Sequence, residues 1–279
     1  MKKTFLLFAV ISAFAFLVSC KKNKDSVVTP VPPVTITYDT DAQKFFDSSA
    51  VSDTLQKSAI NTLVTQLKDS SLWSKFKAIY PMVGGSSSST KFNLKDPRNL
   101  DAAYRLTFNG TPSFSGTGVL FSTPAAFADT HINDSTITFN DNSISYFSRT
   151  QNTIDGYDMG CADSKAPYNE FAIYQSSDAT NWFGFYKFGD VPANTLGLFT
   201  LTSTISDVRR FENGKATITK GSAPTAGFTG MNILVGSVNN APANGQRECA
   251  LAAVGQGLSD AQAMTFNNIV HSFETKLGR

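Results

Sequence analysis

The chain has 279 residues, of which 41% are apolar, 12% aromatic and 16% charged, and 24 Lys and Arg stand against 22 Asp and Glu. This length fits one large domain or two small ones, and the low charged fraction argues against a coiled coil or a disordered chain. Beyond the first two dozen residues no cluster of Lys and Arg occurs, so we expect no nucleic-acid partner.

The N-terminus has the pattern of a secretory signal. Two lysines precede an apolar run from residue 5 to 18, which as a helix would span about 21 Å, less than the ~30 Å core of a bilayer. Residues 17–20, Leu-Val-Ser-Cys, resemble the lipobox of bacterial lipoproteins, in which the cysteine becomes the lipid-modified first residue. The resemblance implies a signal peptide at 1–19 and a membrane anchor through lipid on Cys20.

The segment after this cysteine predicts a spacer. Residues 20–40 combine lysines with three prolines, a composition that favours extended polyproline II structure. Residues 41–279 remain as a single domain, because they contain no internal repeat and no second hydrophobic nucleus.

Helices are predicted at the start of this domain, at about 53–80. Apolar residues recur with helical spacing up to Asp69, and Asp53 followed by Gln56 has the form of a capping box. A second short helix is expected from residue 72, ending before Pro81 because the residue before proline resists helical geometry.

Short segments of period two begin near residue 100 and predict β-strands. Asn213-Gly214 between two of them is a strong hairpin signal, since both residues tolerate positive φ. Many short strands without intervening amphipathic helices predict an all-β sandwich of two antiparallel sheets. The predicted strands are 102–108, 118–121, 135–140, 143–149, 170–175, 182–188, 196–203, 206–212, 215–219, 232–236 and 249–254.

A C-terminal amphipathic helix is predicted at about 259–277. Ser259 and Gln262 form a second capping box, and an apolar stripe runs from Ala263 to Leu277. We expect this stripe to pack on the sandwich beside the N-terminal helices.

Several segments resemble the concanavalin A-like lectin/glucanase superfamily, in the laminin-G-like form common in lipoproteins of Bacteroidota. The segments that carry the resemblance, in chain order, are 91–106, 143–149, 210–215, 232–236 and 255–260. The resemblance implies a jelly roll and contact with glycans, although the superfamily contains enzymes, lectins and structural modules.

Catalysis is not expected. Glucanases of this superfamily carry Glu-x-Asp-x-x-Glu on one strand, which this chain lacks, and its glutamates Glu170, Glu212, Glu248 and Glu274 have no acidic partner at strand spacing. The interpretation is a lipid-anchored, non-catalytic glycan-binding or surface-interaction module. The alternatives are an adhesion or structural module with an envelope protein as its partner, and a divergent glycoside hydrolase.

The expected location is the cell envelope, as an outer-membrane lipoprotein. Surface display in this bacterial group is associated with acidic residues just after the lipidated cysteine, whereas here Lys21, Lys22 and Lys24 follow Cys20. Surface-facing and periplasm-facing orientations therefore both stay open.

Aromatic residues supply the candidate ligand site. On a single strand over 182–188, Trp182, Tyr186 and Phe188 would share one face and could stack on sugars, with Asn181 or Lys187 at the edge for hydrogen bonds. The alternative is that both faces are buried. On an expected neighbouring strand, the second-rank candidates are Tyr146 and Arg149.

No cofactor is required by any motif, although one acidic group permits a calcium site. Asp155, Asp158 and Asp163 could offer oxygen ligands to Ca²⁺. The alternative is a polar turn with self-capping aspartates.

The remaining cysteines, Cys161 and Cys249, form an even pair once Cys20 is assigned to lipid. In an oxidising compartment they could form a disulfide, and two buried thiols are the alternative.

Overall fold

Two antiparallel β-sheets face each other, and helices cover one of them, in a computed structural model of the chain. The structure describes residues 37–163, 170–175, 181–183, 186–188, 194–220, 229–240 and 244–279, and only the backbone of 181–183, 186–188 and 218–220. The predicted signal peptide, Cys20 and the predicted linker up to residue 36 lie outside the described residues. The chain from Tyr38 to Arg279 forms one unit.

Four helices frame the sheets in this part of the chain: α1 (Thr40–Ser49), α2 (Thr54–Asp69), α3 (Ser87–Thr90) and α4 (Asp260–Lys276). The predicted helices α2 and α4 are confirmed, whereas α1 was not predicted. The Asp53 carboxylate caps α2 by accepting from Gln56 N, but the Gln56 side chain accepts from Gly84 N at 3.1 Å, so its capping box is half formed. In the described part of the chain, no helix is long and apolar enough to cross a membrane.

The second predicted helix, over 72–80, is wrong. A 3-10 turn covers Trp73–Lys75, and strand β1 (Phe76–Tyr80) follows. Phe76 and Ile79 pack under the helices, while Ala78 and Tyr80 lie between the two sheets. Because both faces of β1 are buried, its apolar residues do not alternate with polar ones, and the sequence pattern resembled that of a buried helix.

In the described residues, the sheet beneath the helices has eight strands. Strand β15 lies near its middle and pairs with β6, β1 and β4, all antiparallel. Besides β1, its strands are β3 (Ser113–Phe114), β4 (Val119–Leu120), β6 (Asn142–Ser148), β11 (Gly197–Ser203), β12 (Val208–Glu212), β13 (Lys215–Lys220) and β15 (Glu248–Gly255).

The second sheet has seven strands in the order β10-β9-β8-β7-β14-β5-β2. Two predictions in this part of the chain are wrong: Asp101–Ala103 and Asp134–Thr136 form 3-10 turns where strands were expected. The strands are β2 (Thr107–Asn109), β5 (Phe127–Asn133), β7 (Gly156–Ala162), β8 (Glu170–Gln175), β9 (Asn181–Phe183), β10 (Tyr186–Phe188) and β14 (Asn232–Val235).

The helices, the eight-stranded sheet and the seven-stranded sheet form three layers, with a hydrophobic core between each adjacent pair. One core lies between the sheets, and the other lies between the eight-stranded sheet and α1, α2 and α4, where the rings of Phe76 and Phe266 are 4.5 Å apart. The Ser259–Gln262 capping box is complete, and Asn213-Gly214 turns between β12 and β13 with φ of 50° and 77°. The predicted fold class, a two-sheet antiparallel jelly-roll sandwich with helices packed on it, is confirmed.

Candidate functional site

One face of the seven-stranded sheet packs against neither of the two hydrophobic cores. Along β5, Ala128, Thr130 and Ile132 are buried, whereas the alternate residues Phe127, Asp129 and His131 are half-buried. Because alternate residues of a strand point to opposite faces, the half-buried set marks the side turned away from the eight-stranded sheet. We call this side the outer face.

Small residues form the centre of the outer face. Gly160 and Ala162 of β7 lie beside Ala172 and Glu170 of β8, respectively. Gly160 has a φ of 146°, and a Cβ there would collide with the backbone of Phe171 and Ala172, so glycine is required at this position. These small residues are buried, with Ala162 7% and Ala172 0% exposed.

Two tyrosines lie beside these small residues. Tyr157 and Tyr174 are register partners on β7 and β8, and their ring centroids are 4.7 Å apart at an interplanar angle of 57°. Tyr157 also packs on Ala162, Ala172 and Val238. The small residues and the tyrosine pair therefore form one packed cluster.

Glu170 lies next to the tyrosine pair and carries an unusual carboxyl group. Burial raises its pKa to about 7, against the opposing effect of a hydrogen bond with Tyr157. Burial and the neighbouring Glu170 raise the pKa of the Tyr157 hydroxyl. The other oxygen of Glu170, Oε1, is shielded from solvent and has no hydrogen-bond partner among the described residues.

Polar groups continue along β5 on the same face. Asp129 Oδ1 accepts from His131 N at 2.7 Å, and Asp129 Oδ2 accepts from Asn232 Nδ2 at 3.2 Å. His131 has a φ of 57° where the register of β5 and β14 shifts, and its Nε2 lies 2.7 Å from Thr107 Oγ1. This irregularity keeps the imidazole ring on the outer face.

A cavity of about 620 Å³ lies at this end of the outer face. Its lining combines apolar side chains with carboxylate and amide groups. Asn239 Oδ1, in this lining, is a buried acceptor without a partner in the described structure. The lining includes Phe127, Asp129, Leu234, Val238, Asn239 and Asn240.

The predicted aromatic platform does not lie on one strand. Residues 181–188 form a hairpin of β9 and β10, in which Trp182 pairs with Lys187 and Phe183 with Tyr186. The alternation expected for a continuous strand over 182–188 therefore does not apply. The side chains of Asn181, Trp182, Tyr186 and Lys187 lie outside the described residues, and their role in binding stays a prediction.

Tyr146 and Arg149 do not belong with that hairpin, contrary to the prediction of a neighbouring strand. Tyr146 lies on β6 of the opposite sheet, is fully buried between the sheets and donates its hydroxyl to Arg247 O at 2.8 Å. Arg149 follows β6 and lines a separate pocket on the helical side of the molecule.

The predicted calcium site is not formed. Residues 156–162 are strand β7 rather than a turn, and Asp158 is buried in an ion pair with Arg247 at 3.1 Å. Consequently Asp155, Asp158 and Asp163 do not converge. In the part of the chain that the structure describes, no group of three or more His, Cys, Asp or Glu is placed to hold a metal ion.

The predicted disulfide is also absent. Cys161 on β7 and Cys249 on β15 are both buried free thiols. They belong to different sheets and fill the core between them, so the alternative interpretation of two buried thiols is confirmed.

Sequence reasoning missed the outer face, although part of its signal was available. Glu170, Ala172 and Tyr174 alternate with Phe171 and Ile173 in a strand that was predicted. The polar side of that strand could have been identified from this alternation. Its juxtaposition with Tyr157 could not, because β7 was interpreted as a turn.

Comparisons with known proteins identify the fold. No protein-family model matches the chain, and no curated protein sequence matches it. A mutant sialidase of Trypanosoma rangeli with trans-sialidase activity is similar in structure, with a TM-score of 0.50 and 8% identity over 75% of this chain and 39% of the sialidase. The chain thus spans about two fifths of that protein, and the likeness shows the sandwich fold alone.

A second solved structure is similar at a lower level. Domain 4 of AbnA, a GH43 extracellular arabinanase from Geobacillus stearothermophilus, in complex with arabinotriose, has a TM-score of 0.42 and 14% identity over 69% of this chain and 98% of the domain.

Proposed function

We propose that this protein is a non-catalytic glycan-binding module of the cell envelope, and that the outer face is its binding surface. The proposal rests on one observation. Two acceptor oxygens without a hydrogen-bond partner among the described residues, Glu170 Oε1 and Asn239 Oδ1, belong to the same side of the sheet as the Tyr157–Tyr174 pair.

The chemistry of a sugar complements this surface. A pyranose presents a C–H face that packs on aromatic rings, and its hydroxyl groups donate to carboxylate and amide oxygens. The tyrosines offer the rings, while Glu170, Asn239 and Asp129 offer the acceptors.

The spacing of the acids supports a binding role rather than hydrolysis. Glu170 on β8 and Asp129 on β5 are separated by β7 and β14 in the sheet order. Three strand spacings place their backbones about 14 Å apart. Glycosidases hold their two carboxyl groups within ~9.5 Å of each other, so we propose no acid–nucleophile pair at this surface.

The sequence supports attachment to a membrane. The apolar run before Leu-Val-Ser-Cys and the lysine- and proline-containing segment after it are the sequence features of a lipid-anchored protein, and they carry the proposal that the lipid on Cys20 holds the module at the outer membrane. Metabolic labelling with an alkyne fatty acid tests this. Incorporation that persists in Cys20→Ser would contradict it.

A glycan array probed with the protein tests the binding role. We expect Tyr174→Ala and Glu170→Ala to reduce binding at least about tenfold, since stacking and hydrogen bonds to a buried acceptor are lost. Tyr38→Ala is the matched control, because Tyr38 packs edge-on against Phe46 on the helical side. Trp182→Ala tests the predicted platform on the β9–β10 hairpin separately.

Binding to no glycan would contradict the proposal, and so would equal loss in Tyr38→Ala and Tyr174→Ala. A loss confined to Trp182→Ala would keep the glycan role and move the site to the hairpin.

A further inference from the structure

Within the part of the chain that the structure describes, the Arg149 side chain donates no hydrogen bond. The described part of the chain contains seven arginines, and the other six donate to a carboxylate, a hydroxyl, an amide or a backbone carbonyl. The Arg149 side chain is 24% exposed, and its Nε is shielded from solvent and has no hydrogen-bond partner among the described residues. A guanidinium group carries five N–H donors, and leaving a largely buried donor without an acceptor costs free energy.

The nearest acid forms an ion pair with this group but no hydrogen bond. Glu248 Oε2 lies 3.6 Å from Arg149 Nε, beyond hydrogen-bond distance. The Glu248 carboxylate is held in this position because its Oε1 accepts from Ser115 Oγ at 3.0 Å and from Thr117 Oγ1 at 2.6 Å. Arg149 therefore remains available to a further anion.

The neighbouring charges are already paired with each other. Arg279 donates from Nε to Glu274 Oε2 at 2.7 Å and from its other nitrogens to four backbone carbonyls. Both side chains are buried, Arg279 also contributes to the lining of the pocket that Arg149 lines, and Glu274 Oε1 has no hydrogen-bond partner among the described residues.

Arg149 lines an open pocket of about 430 Å³ on the helical side of the eight-stranded sheet. Phe147 and the 39% exposed Leu196 provide apolar walls. His271 of α4 closes one side, stacked edge-on against Phe147 at 5.3 Å and donating from Nε2 to Asn213 Oδ1 at 3.2 Å. The volume is that of a site for a small organic molecule.

We propose that this pocket binds a small carboxylate with an apolar body. The carboxylate would accept two parallel hydrogen bonds from Arg149, and the apolar body would lie on Phe147 and Leu196. Planar guanidinium and carboxylate groups match in this bidentate arrangement. The site is separate from the outer face, and the inference does not depend on the glycan-binding proposal.

The two histidines of the chain provide a direct readout. His271 lines this pocket, whereas His131 lies on the outer face, so proton NMR of the imidazole C2–H signals reports on both sites in one spectrum. One variant, His131→Gln, assigns both signals. Phenylacetate is the probe, because it joins a carboxylate to an apolar ring.

We expect phenylacetate to shift the His271 signal in a saturable manner and to leave the His131 signal unchanged. Phenylacetamide has the same shape without the charge, and acetate has the charge without the ring, so both should bind at least about tenfold more weakly. Glucuronate distinguishes an acidic sugar from a free apolar acid. Tighter binding of glucuronate than of phenylacetate would overturn the proposed apolar body.

Variants test the role of the guanidinium group. We expect Arg149→Gln to weaken phenylacetate binding at least about tenfold and Arg149→Lys to retain part of it, because lysine keeps the charge and loses the bidentate geometry. Arg98→Gln is the control, since Arg98 is 64% exposed and pairs with Asp96 elsewhere.

Equal affinity for phenylacetate and phenylacetamide would overturn the proposal, and so would a phenylacetate-induced shift of His131 instead of His271. These comparisons use the unmodified protein, so they remain decisive if Arg149→Gln fails to fold. A glycan that shifts His131 alone would support the outer face independently.

Discussion

Asp158 and Arg247 form an ion pair that joins the two sheets, with Nη1 and Oδ1 3.1 Å apart and both side chains about 1% exposed. Asp158 lies on β7, and Arg247 immediately precedes β15 of the opposite sheet. Gln175 donates to the second oxygen of Asp158 at 2.6 Å, and Arg247 donates to Ile154 O at 2.6 Å. This carboxylate is therefore occupied in holding the sandwich together.

Removing one member of this pair should destabilise the fold strongly. We expect Asp158→Asn to lower the free energy of unfolding by about 3–5 kcal/mol, because it leaves the Arg247 cation buried without its counter-ion. Urea unfolding followed by circular dichroism measures this. Asp96→Asn, which breaks the surface pair with Arg98, should change stability by less than about 1 kcal/mol. Similar effects of both variants would contradict the role of the buried pair.

Calcium should not stabilise the protein through the predicted acidic group. Since Asp158 is held by Arg247 and Gln175, its oxygens are not offered to a metal ion. We expect the melting midpoint to stay unchanged on titration with millimolar CaCl2. A rise that disappears in Asp155→Asn would restore calcium binding at this segment.

The two core cysteines should behave as protected thiols. Burial raises the pKa of Cys161 and of Cys249, so both stay protonated and unreactive in the folded state. In a Cys20→Ser background we expect no labelling by a maleimide under native conditions. Two labels per chain should appear after unfolding without reductant, and none after unfolding would indicate a disulfide.

Stability should fall as the pH rises from about 4.5 to 7. Burial raises the pKa of Glu170 and of Glu274 from 4.5 to about 7, so the folded state binds more protons than the unfolded state in this window. Each carboxyl can contribute at most about 3 kcal/mol of this loss. The free energy of unfolding, measured across this pH window, should depend less on pH in Glu170→Gln. An unchanged pH dependence would refute a raised pKa at Glu170.

The N-terminus of α4 offers a test of local structure. Ser259 Oγ accepts from Gln262 N, and the Gln262 side chain accepts from Ser259 N. Ser259→Ala should lower the free energy of unfolding by about 1 kcal/mol, whereas Ser259→Asp should retain most of it. An equal loss in both variants, measured by urea unfolding, would mean that the cap is not the cause.

Prediction from sequence succeeded where one local pattern was sufficient. The α4 helix was marked by a capping box and an apolar stripe, and the β12–β13 hairpin by Asn213-Gly214, whose positive φ angles few other residue pairs adopt. Strand β1 was missed because its two faces contact two different cores, which removes the alternation on which strand prediction depends.

The amino-acid sequence alone determined the class of fold and the positions of its clearest elements, since hydrophobic period, caps and turn residues act over a few neighbours. The pairing of strands distant in the chain was decided by the tertiary structure. It brings Asp158 to Arg247, separates Cys161 from Cys249 and sets Tyr157 beside Tyr174. It also places Arg149 in a pocket where its Nε has no hydrogen-bond partner among the described residues. Each of these relationships depends on which strands become neighbours, and a local pattern does not encode that choice.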